Sequence, residues 1–100
     1  MINLTATFTA KQGKQAILRD ILLKMVKVSR QEAGCVRYCL YEDAKQSHIL
    51  VFQEQFIDQD AFDHHCKMPY FISLLNEIQG IVEKDPDIQF FKQVEPAASV

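Results

Sequence analysis

The sequence predicts a single α+β domain whose elements follow the order β-α-β-β-α-α-β. Three observations support this prediction: alternation of apolar and polar residues over 2–9, an apolar stripe at helical spacing over 17–28, and two stretches rich in β-branched and aromatic residues at 35–42 and 48–56. The chain has 100 residues, of which 48% are hydrophobic. This length suits one domain, and the composition is sufficient for a buried core.

The first strand and the helix after it have clear amphipathic patterns. In the stretch INLTATFT alternate residues are apolar, which is typical of a strand with one buried face. The helix that follows the turn KQGK has one apolar stripe, formed by Ile17, Leu18, Ile21, Leu22, Met25 and Val28. We expect this helix to end near the stretch EAGC, with Gly34 in the left-handed conformation that commonly ends helices.

The second half of the chain predicts two strands, two helices and a last strand. The stretches CVRYCLYE and HILVFQEQF are joined by a polar hairpin turn, DAKQS. Asp58 is a favourable N-cap for a short helix over QDAFDHHC. Met68 and Pro69 mark the next boundary, because proline disfavours helical geometry in the residue before it and is tolerated at a first helical position. A helix over YFISLLNEIQGIV and a strand over DIQFFKQV complete the chain.

This element order predicts a ferredoxin-like fold, in which a four-stranded antiparallel sheet carries its helices on one face. The strand HILVFQEQF has apolar residues on both faces: Leu50, Phe52, Glu54 and Phe56 point one way, and Ile49, Val51, Gln53 and Gln55 point the other. Neither face is therefore patterned for full exposure to water. We expect a second copy to cover the free face, which gives a homodimer of the dimeric α+β barrel type.

Charge, hydropathy and cysteine usage narrow the partners and the location. The net charge of -2 argues against nucleic acid, and no apolar run approaches the roughly 20 residues that span a bilayer. The N-terminus lacks the pattern of a signal peptide. Cys35 and Cys39 lie in one strand, about 13 Å apart at roughly 3.3 Å per residue, which is too far for a disulfide. We expect reduced thiols, a cytoplasmic location, one domain over 1–95 and a frayed tail over 96–100.

The stretch DHHC, residues 63–66, looks like a metal site but lacks the ligand spacing. Consecutive helical residues project about 100° apart, at 3.6 residues per turn, so His64 and His65 do not face one ion. Two histidines on a zinc-binding helix face are spaced by three or four residues. We therefore expect no metal site, and we expect His65 to point inward while His64 faces water.

Three stretches in one order resemble the antibiotic biosynthesis monooxygenase family of dimeric ferredoxin-like domains: EAGCVRYCLYED, ILVFQEQFID and AFDHHCKMPYF. That family typically has E-P-G-C-x-x-Y, then a strand ending E-x-W, then A-x-x-x-H-x-x-S-P-H-F. The positions that match are Gly34, Cys35, Tyr38, Glu54, Ala61, His65, Pro69 and Phe71. The chain departs from the pattern at the proline, tryptophan, serine and second histidine, which are Ala33, Phe56, Met68 and Tyr70 here.

The resemblance implies a choice among several activities. Family members include oxygenases of anthrones and quinols that use no metal or flavin, haem-degrading enzymes, and isomerases of a phosphorylated breakdown product. The asparagine, tryptophan and histidine typical of the haem-degrading members are replaced by Ala6, His65 and Leu75, so we expect no haem. The leading hypothesis is a cofactor-independent monooxygenase that oxidises a quinol-like or polycyclic phenolic compound with O2. The alternatives are an isomerase of a dicarbonyl phosphate, with Arg37 and Lys67 as its nearest cations, and a non-catalytic dimeric ligand-binding or stress module.

The oxygenase hypothesis assigns roles to four residues. His65 is the expected base, because an imidazole accepts a proton near neutral pH, and Tyr38 or Tyr70 is the expected donor to the developing oxyanion. Glu54 either bonds His65 or lies solvated at a sheet end, and His65 itself is alternatively a core histidine. The expected substrate pocket consists of Leu4, Ala6, Phe8, Phe52, Phe71, Leu75 and Phe90. The alternative for these residues is an ordinary hydrophobic core.

Overall fold

The fold was obtained as a computed structural model, which describes residues 1–97. Its elements are β1 (Ile2–Thr9), α1 (Gln15–Ser29), β2 (Cys35–Glu42), β3 (Ile49–Phe56), α2 (Gln59–Cys66), α3 (Pro69–Glu77) and β4 (Asp87–Phe91). This is the predicted order, so the α+β ferredoxin-like prediction is confirmed. Of the tail predicted at 96–100, residues 98–100 lie outside the described range, and the two before them are in neither helix nor strand.

The four strands form one antiparallel sheet in the order β2-β3-β1-β4. The central strands β1 and β3 align so that Leu4 is opposite Glu54 and Ala6 is opposite Phe52. Side chains at these alternate positions point to the same face of the sheet. On β1 and β3 that face is therefore apolar except for the carboxyl group of Glu54, and it is the face on which the helices pack.

The core lies between this face and the helices. The apolar stripe of α1 contributes Leu18 and Leu22, which are fully buried, while Ile17 at the edge of the stripe is exposed. On the sheet side, Phe52 and Phe56 are fully buried. The α1 stripe and the predicted inward face of β3 therefore belong to one buried core.

Local signals set most of the element boundaries. The carboxylate of Asp43 accepts hydrogen bonds from two backbone N–H groups of the β2–β3 turn, at 3.0 and 2.9 Å. Asp58 caps α2 as predicted, since its Oδ1 accepts from the Ala61 N–H at 2.8 Å. Met68 is extended and Pro69 is the first residue of α3, which confirms the predicted joint between the two helices.

The predicted ends of two helices need correction. Helix α1 ends at Ser29, and Gly34 does not have a positive φ, so it is not a left-handed cap. Helix α3 ends at Glu77, earlier than the predicted stretch through Val82, and Gly80 with φ 79° lies in the turn that follows. Only a residue without a Cβ adopts that conformation readily.

The opposite face of the sheet stays uncovered by the helices of residues 1–97. Its side chains alternate with the buried ones and are half-buried, as Ile49 and Val51 are, or exposed, as Arg37 and Gln53 are. Strand β4 is at the sheet edge, and all five of its residues are exposed. Within the described residues, no helix is long and apolar enough to cross a membrane.

Candidate active site

His65 lies in the middle of the core, on the inward face of α2. Its side chain is 1% exposed, whereas the adjacent His64 is exposed, which is the predicted separation of the two histidines. Aromatic rings surround the imidazole: the ring centroids of Phe56, Phe71 and Tyr38 lie 5.0, 5.3 and 5.6 Å from its own. A polar ring in such a site requires hydrogen-bond partners.

The partner of His65 is Glu32, which was not among the predicted site residues. Nδ1 of His65 is 2.8 Å from Oε2 of Glu32, and the Glu32 side chain is only 5% exposed. The hydroxyl of Tyr70 donates a hydrogen bond to the same oxygen. A carboxylate acceptor at Nδ1 makes Nδ1 the protonated nitrogen of the neutral ring, so the lone pair lies on Nε2.

The backbone between α1 and β2 places Glu32 against α2. The Glu32 N–H donates to the Ser29 carbonyl at 3.1 Å, and the Ile57 N–H at the start of the α2 segment donates to the Gly34 carbonyl at 2.9 Å. A Cβ atom at Gly34 would overlap the Cβ of Ala61 on α2. Glycine at this position thus allows α2 to approach the loop, and this approach brings His65 within reach of Glu32.

Glu54 occupies the other side of the imidazole. Its Oε1 lies 3.9 Å from Nε2 of His65, and its side chain is 5% exposed. Burial raises the pKa of Glu54 to about 8, and the negative charge of Glu32 adds to the rise. At neutral pH Glu54 is therefore mostly a carboxylic acid, and its Oε1 lies on the Nε2 side of the imidazole.

The two site tyrosines and the nearby thiols remain protonated. Burial and the Glu54 charge raise the pKa of Tyr38, and burial together with the hydrogen bond to Glu32 raises the pKa of Tyr70. Burial likewise raises the pKa of Cys35 to about 11 and raises that of Cys66. Both phenols are therefore hydrogen-bond donors, and neither thiol has the lowered pKa of a reactive cysteine.

An apolar cavity of about 200 Å³ lies between the sheet and helices α2 and α3. Six of the seven predicted pocket residues line it: Leu4, Ala6, Phe8, Phe52, Phe71 and Leu75. Tyr38 and Glu54 also line it, together with the unpredicted Phe62, Cys66, Leu74, Pro86 and Ile88. The seventh predicted residue, Phe90, is outside this lining and packs edge-on against Phe62, with centroids 5.6 Å apart.

The structure divides the four predicted catalytic residues into two pairs. Glu54 and Tyr38 line the cavity, and Glu54 is the single carboxyl among the lining residues. His65 and Tyr70 do not line it, and Tyr70 borders a separate surface cleft between α1 and α3. Glu54 is therefore the lining carboxyl group that lies next to His65.

A signal for Glu32 was present in the sequence. It is the first residue of the stretch EAGC and matches the glutamate that opens the family pattern quoted above. Residues 1–97 contain no group of three or more histidine, cysteine, aspartate or glutamate side chains that could together hold a metal ion.

Comparisons with known proteins agree with this fold and these motifs. The family model for antibiotic biosynthesis monooxygenases matches residues 1–75. A crystal structure of a Pseudomonas aeruginosa protein is 29% identical with a TM-score of 0.88, and 93% of each chain is covered. A structure named as an antibiotic biosynthesis monooxygenase is 28% identical with a TM-score of 0.87, and it covers 94% of this chain and 99% of its own.

An uncharacterized protein of Synechocystis sp. is 30% identical over 70 residues, which cover 70% of this chain. The match spans about half, 48%, of the length of that relative. The resemblance found in the three sequence motifs thus extends over most of the chain and over its three-dimensional structure. The chain belongs to the antibiotic biosynthesis monooxygenase family.

Proposed function

We propose that the protein is a monooxygenase that oxidises a small quinol-like compound with O2, without a metal, haem or flavin. The observation that supports this is the apolar cavity whose single carboxyl, Glu54, is backed by the buried imidazole of His65. Small-molecule sites are mostly apolar with a few convergent polar groups. Family membership supports a monooxygenase, and the site geometry supports the way in which a substrate proton is removed.

The chemistry needs a base, a donor and exclusion of water. Removing a phenolic proton makes the ring electron-rich enough to reduce O2, after which the two radicals combine. Hydroquinone and O2 then give a hydroxylated benzoquinone and one water, with all electrons supplied by the quinol. Because the substrate is its own reductant, the protein supplies only proton transfer, a donor to the oxyanion and a dry pocket.

Glu54 is the group that contacts the substrate in this proposal. Transfer of its proton to Nε2 of His65 leaves a carboxylate in the cavity, and that carboxylate accepts the phenolic proton. The 3.9 Å between Oε1 and Nε2 is within reach of a small side-chain rotation or of one bridging water. Tyr38, a protonated phenol in the cavity wall, donates to the oxyanion. His65 thus acts through Glu54.

The cavity favours a single-ring substrate over a polycyclic one. An engineered apolar cavity of about 150 Å³ binds one benzene molecule, and the cavity here measures about 200 Å³. Hydroquinone-sized compounds match this volume, whereas the three fused rings of an anthrone need more space. We therefore expect activity to decrease from hydroquinone to menadiol to anthrone.

The test is oxygen uptake with these three substrates, each corrected for its spontaneous oxidation. We expect wild-type uptake on hydroquinone, and a loss of about 100-fold or more in Glu54→Gln and His65→Gln, the usual contribution of general acid–base catalysis. His64→Gln, an exposed histidine next in the chain, is the matched control and keeps wild-type rates. Absence of enzymatic oxygen uptake with all three substrates would overturn the oxygenase proposal. If one of these compounds nevertheless binds and is recovered chemically unchanged, a non-catalytic binding module would be favoured.

The isomerase alternative has less support from the site. A phosphorylated substrate needs cations near the cavity, but Arg37 lies on the uncovered face of the sheet and Lys67 is exposed. Neither residue lines the cavity. A phosphate group would therefore find no positive charge among the lining residues.

The uncovered face of the sheet supports the proposed homodimer. Half-buried Ile49 and Val51 lie on it, and Phe91 of the edge strand, 49% exposed, points the same way. A second copy placed sheet against sheet would remove this apolar surface from water. Light scattering at micromolar concentration tests this, and a monomer mass would contradict it.

The free thiols of all three cysteines support the cytoplasmic location predicted above.

A further inference from the structure

A pair of hydrogen bonds joins His65 to the outer surface of the domain, away from the cavity. Oε2 of Glu32 accepts both of them, one from Nδ1 of His65 at 2.8 Å and one from the hydroxyl of Tyr70. Neither Glu32 nor Tyr70 lines the cavity. The sequence-predicted role of Tyr70, a donor to the substrate oxyanion, therefore lacks a contact, because its hydroxyl is bonded to Glu32.

The arrangement has two consequences for the imidazole. The Glu32 carboxylate holds the proton on Nδ1, so the Nε2 lone pair always faces the acid of Glu54. When Nε2 accepts a proton, the imidazolium lies between two carboxyl groups, and the negative charge of Glu32 compensates its positive charge at hydrogen-bond distance. A carboxylate that orients a histidine and stabilises its charged form is a recurrent catalytic device.

We infer that Glu32 and Tyr70 are positioning residues of the oxidation: Tyr70 orients the Glu32 carboxylate, and Glu32 holds His65 as a store for the substrate proton. This inference rests on the proposed function, because it assigns roles within the same reaction. Glu32 and Tyr70 act only through His65 and contact neither the substrate nor O2.

The proton balance of the reaction requires such a store. Glu54 gives its proton to Nε2 of His65 and then takes the phenolic proton of the quinol, so the site holds one extra proton while electrons pass from the ring to O2. After the two radicals combine, the stored proton returns by the same route to the outer oxygen of the ring peroxide. The O–O bond then breaks as the oxygenated ring carbon loses its C–H proton, and the outer oxygen leaves with both protons as water. The ring nitrogens end in their starting state, and no proton has to reach the solvent.

The decisive variant is Glu32→Gln, which keeps the size of the side chain and removes its charge. We expect kcat on hydroquinone to fall about 100-fold or more while KM changes less than about two-fold, because only the charged state of the reaction is affected. Tyr70→Phe keeps the Glu32–His65 bond and loses about 3- to 10-fold in kcat, the worth of one hydrogen bond. The matched controls are Glu83→Gln and Tyr41→Phe, two exposed residues away from the site, and both keep wild-type kcat.

A second readout does not require turnover. In protein labelled with ¹⁵N-histidine, NMR shows which ring nitrogen carries the proton, and His65→Gln identifies the His65 signals. We expect the Nδ1–H tautomer in the wild type and in Tyr70→Phe, and loss of that preference in Glu32→Leu, whose side chain has no acceptor for the Nδ1 proton. This measurement separates a positioning role from a general loss of packing, which far-UV circular dichroism would detect.

The outcomes distinguish the two proposals. Unchanged kcat in Glu32→Gln together with an unchanged tautomer in Glu32→Leu would overturn the positioning role, even if the wild type oxidises hydroquinone. If the wild type oxidises none of the substrates, the oxygenase proposal fails, and the tautomer measurement alone decides whether Glu32 controls His65. If Glu32→Gln does not fold, Tyr70→Phe decides, and a wild-type kcat in that variant counts against the inference.

Discussion

Replacing Glu54 by glutamine should change how the stability of the protein depends on pH. Burial raises the pKa of Glu54 from its ordinary 4.5 to about 8. Between these two values the folded protein keeps a proton that the unfolded chain has released. The free energy of unfolding therefore falls as the pH rises through this window, and it is independent of Glu54 above and below it.

The size of the effect follows from the shift. A shift of one pKa unit corresponds to about 1.4 kcal/mol. The rise of the Glu54 pKa from 4.5 to about 8 therefore lowers the free energy of unfolding by at most about 5 kcal/mol once Glu54 is ionised. Glu54→Gln has no proton to lose at this position. Relative to the wild type, its stability should rise by about 1.4 kcal/mol per pH unit across the window and stay level outside it.

The assay is urea denaturation followed by far-UV circular dichroism at several pH values, with one fixed protein concentration because a dimer is stabilised by mass action. The other titratable groups around Glu54 are Cys35 and Tyr38 on β2, His65 and Cys66 on α2, and Glu32 in the loop between α1 and β2. They are present in both proteins, so their own contributions largely cancel. For the exposed Glu83→Gln, the difference in free energy of unfolding from the wild type should not change with pH. If this difference is also independent of pH for Glu54→Gln, the reasoning is refuted.

Three further substitutions test the elements that build the site. Gly34→Ala should destabilise the fold by about 1–3 kcal/mol through overpacking against Ala61, and adding Ala61→Gly should restore more stability than the two single effects predict in a double-mutant cycle. Asp58→Ala removes the N-cap of α2 and should cost about 1 kcal/mol in urea denaturation. Ala6→Leu should fill the cavity and abolish hydroquinone oxidation, while the melting temperature stays within a few degrees of the wild-type value. Retained oxidation in this variant would mean that the substrate binds outside the cavity.

Most of the fold could be predicted because its signals are local. The alternation over β1 and β3, the Asp58 cap and the Met68–Pro69 joint each depend on a few neighbouring residues, and each appears in the structure at the predicted place. The inward position of His65 follows in the same way, since a helix of known phase has only one inward face. Features of this kind need no knowledge of what lies across the core.

The wrong prediction for Gly34 has a different origin. A glycine after a helix usually marks a left-handed cap, but here its value is the missing Cβ, which lets Ala61 of α2 come close. That neighbour belongs to another element, so no local pattern reveals it. The partner of His65 was missed for a related reason: Glu54 was the carboxyl on a predicted strand, whereas Glu32 lies in a loop. The match of Glu32 to the family pattern marks the residue but does not reveal its contact with α2.

The two glutamates show how one fold gives the same side chain two tasks. Strand β3 places Glu54 in the wall of an apolar cavity, where burial raises its pKa to about 8 and keeps it mostly protonated at neutral pH. The loop after α1 places Glu32 under α2, where it receives hydrogen bonds from His65 and Tyr70 and serves as the fixed negative charge. Because Gly34 sets the distance between that loop and α2, a substitution there should lower kcat without changing any residue that contacts the substrate. A Gly34→Ala protein with full activity would mean that the contact between Glu32 and His65 is not needed for turnover.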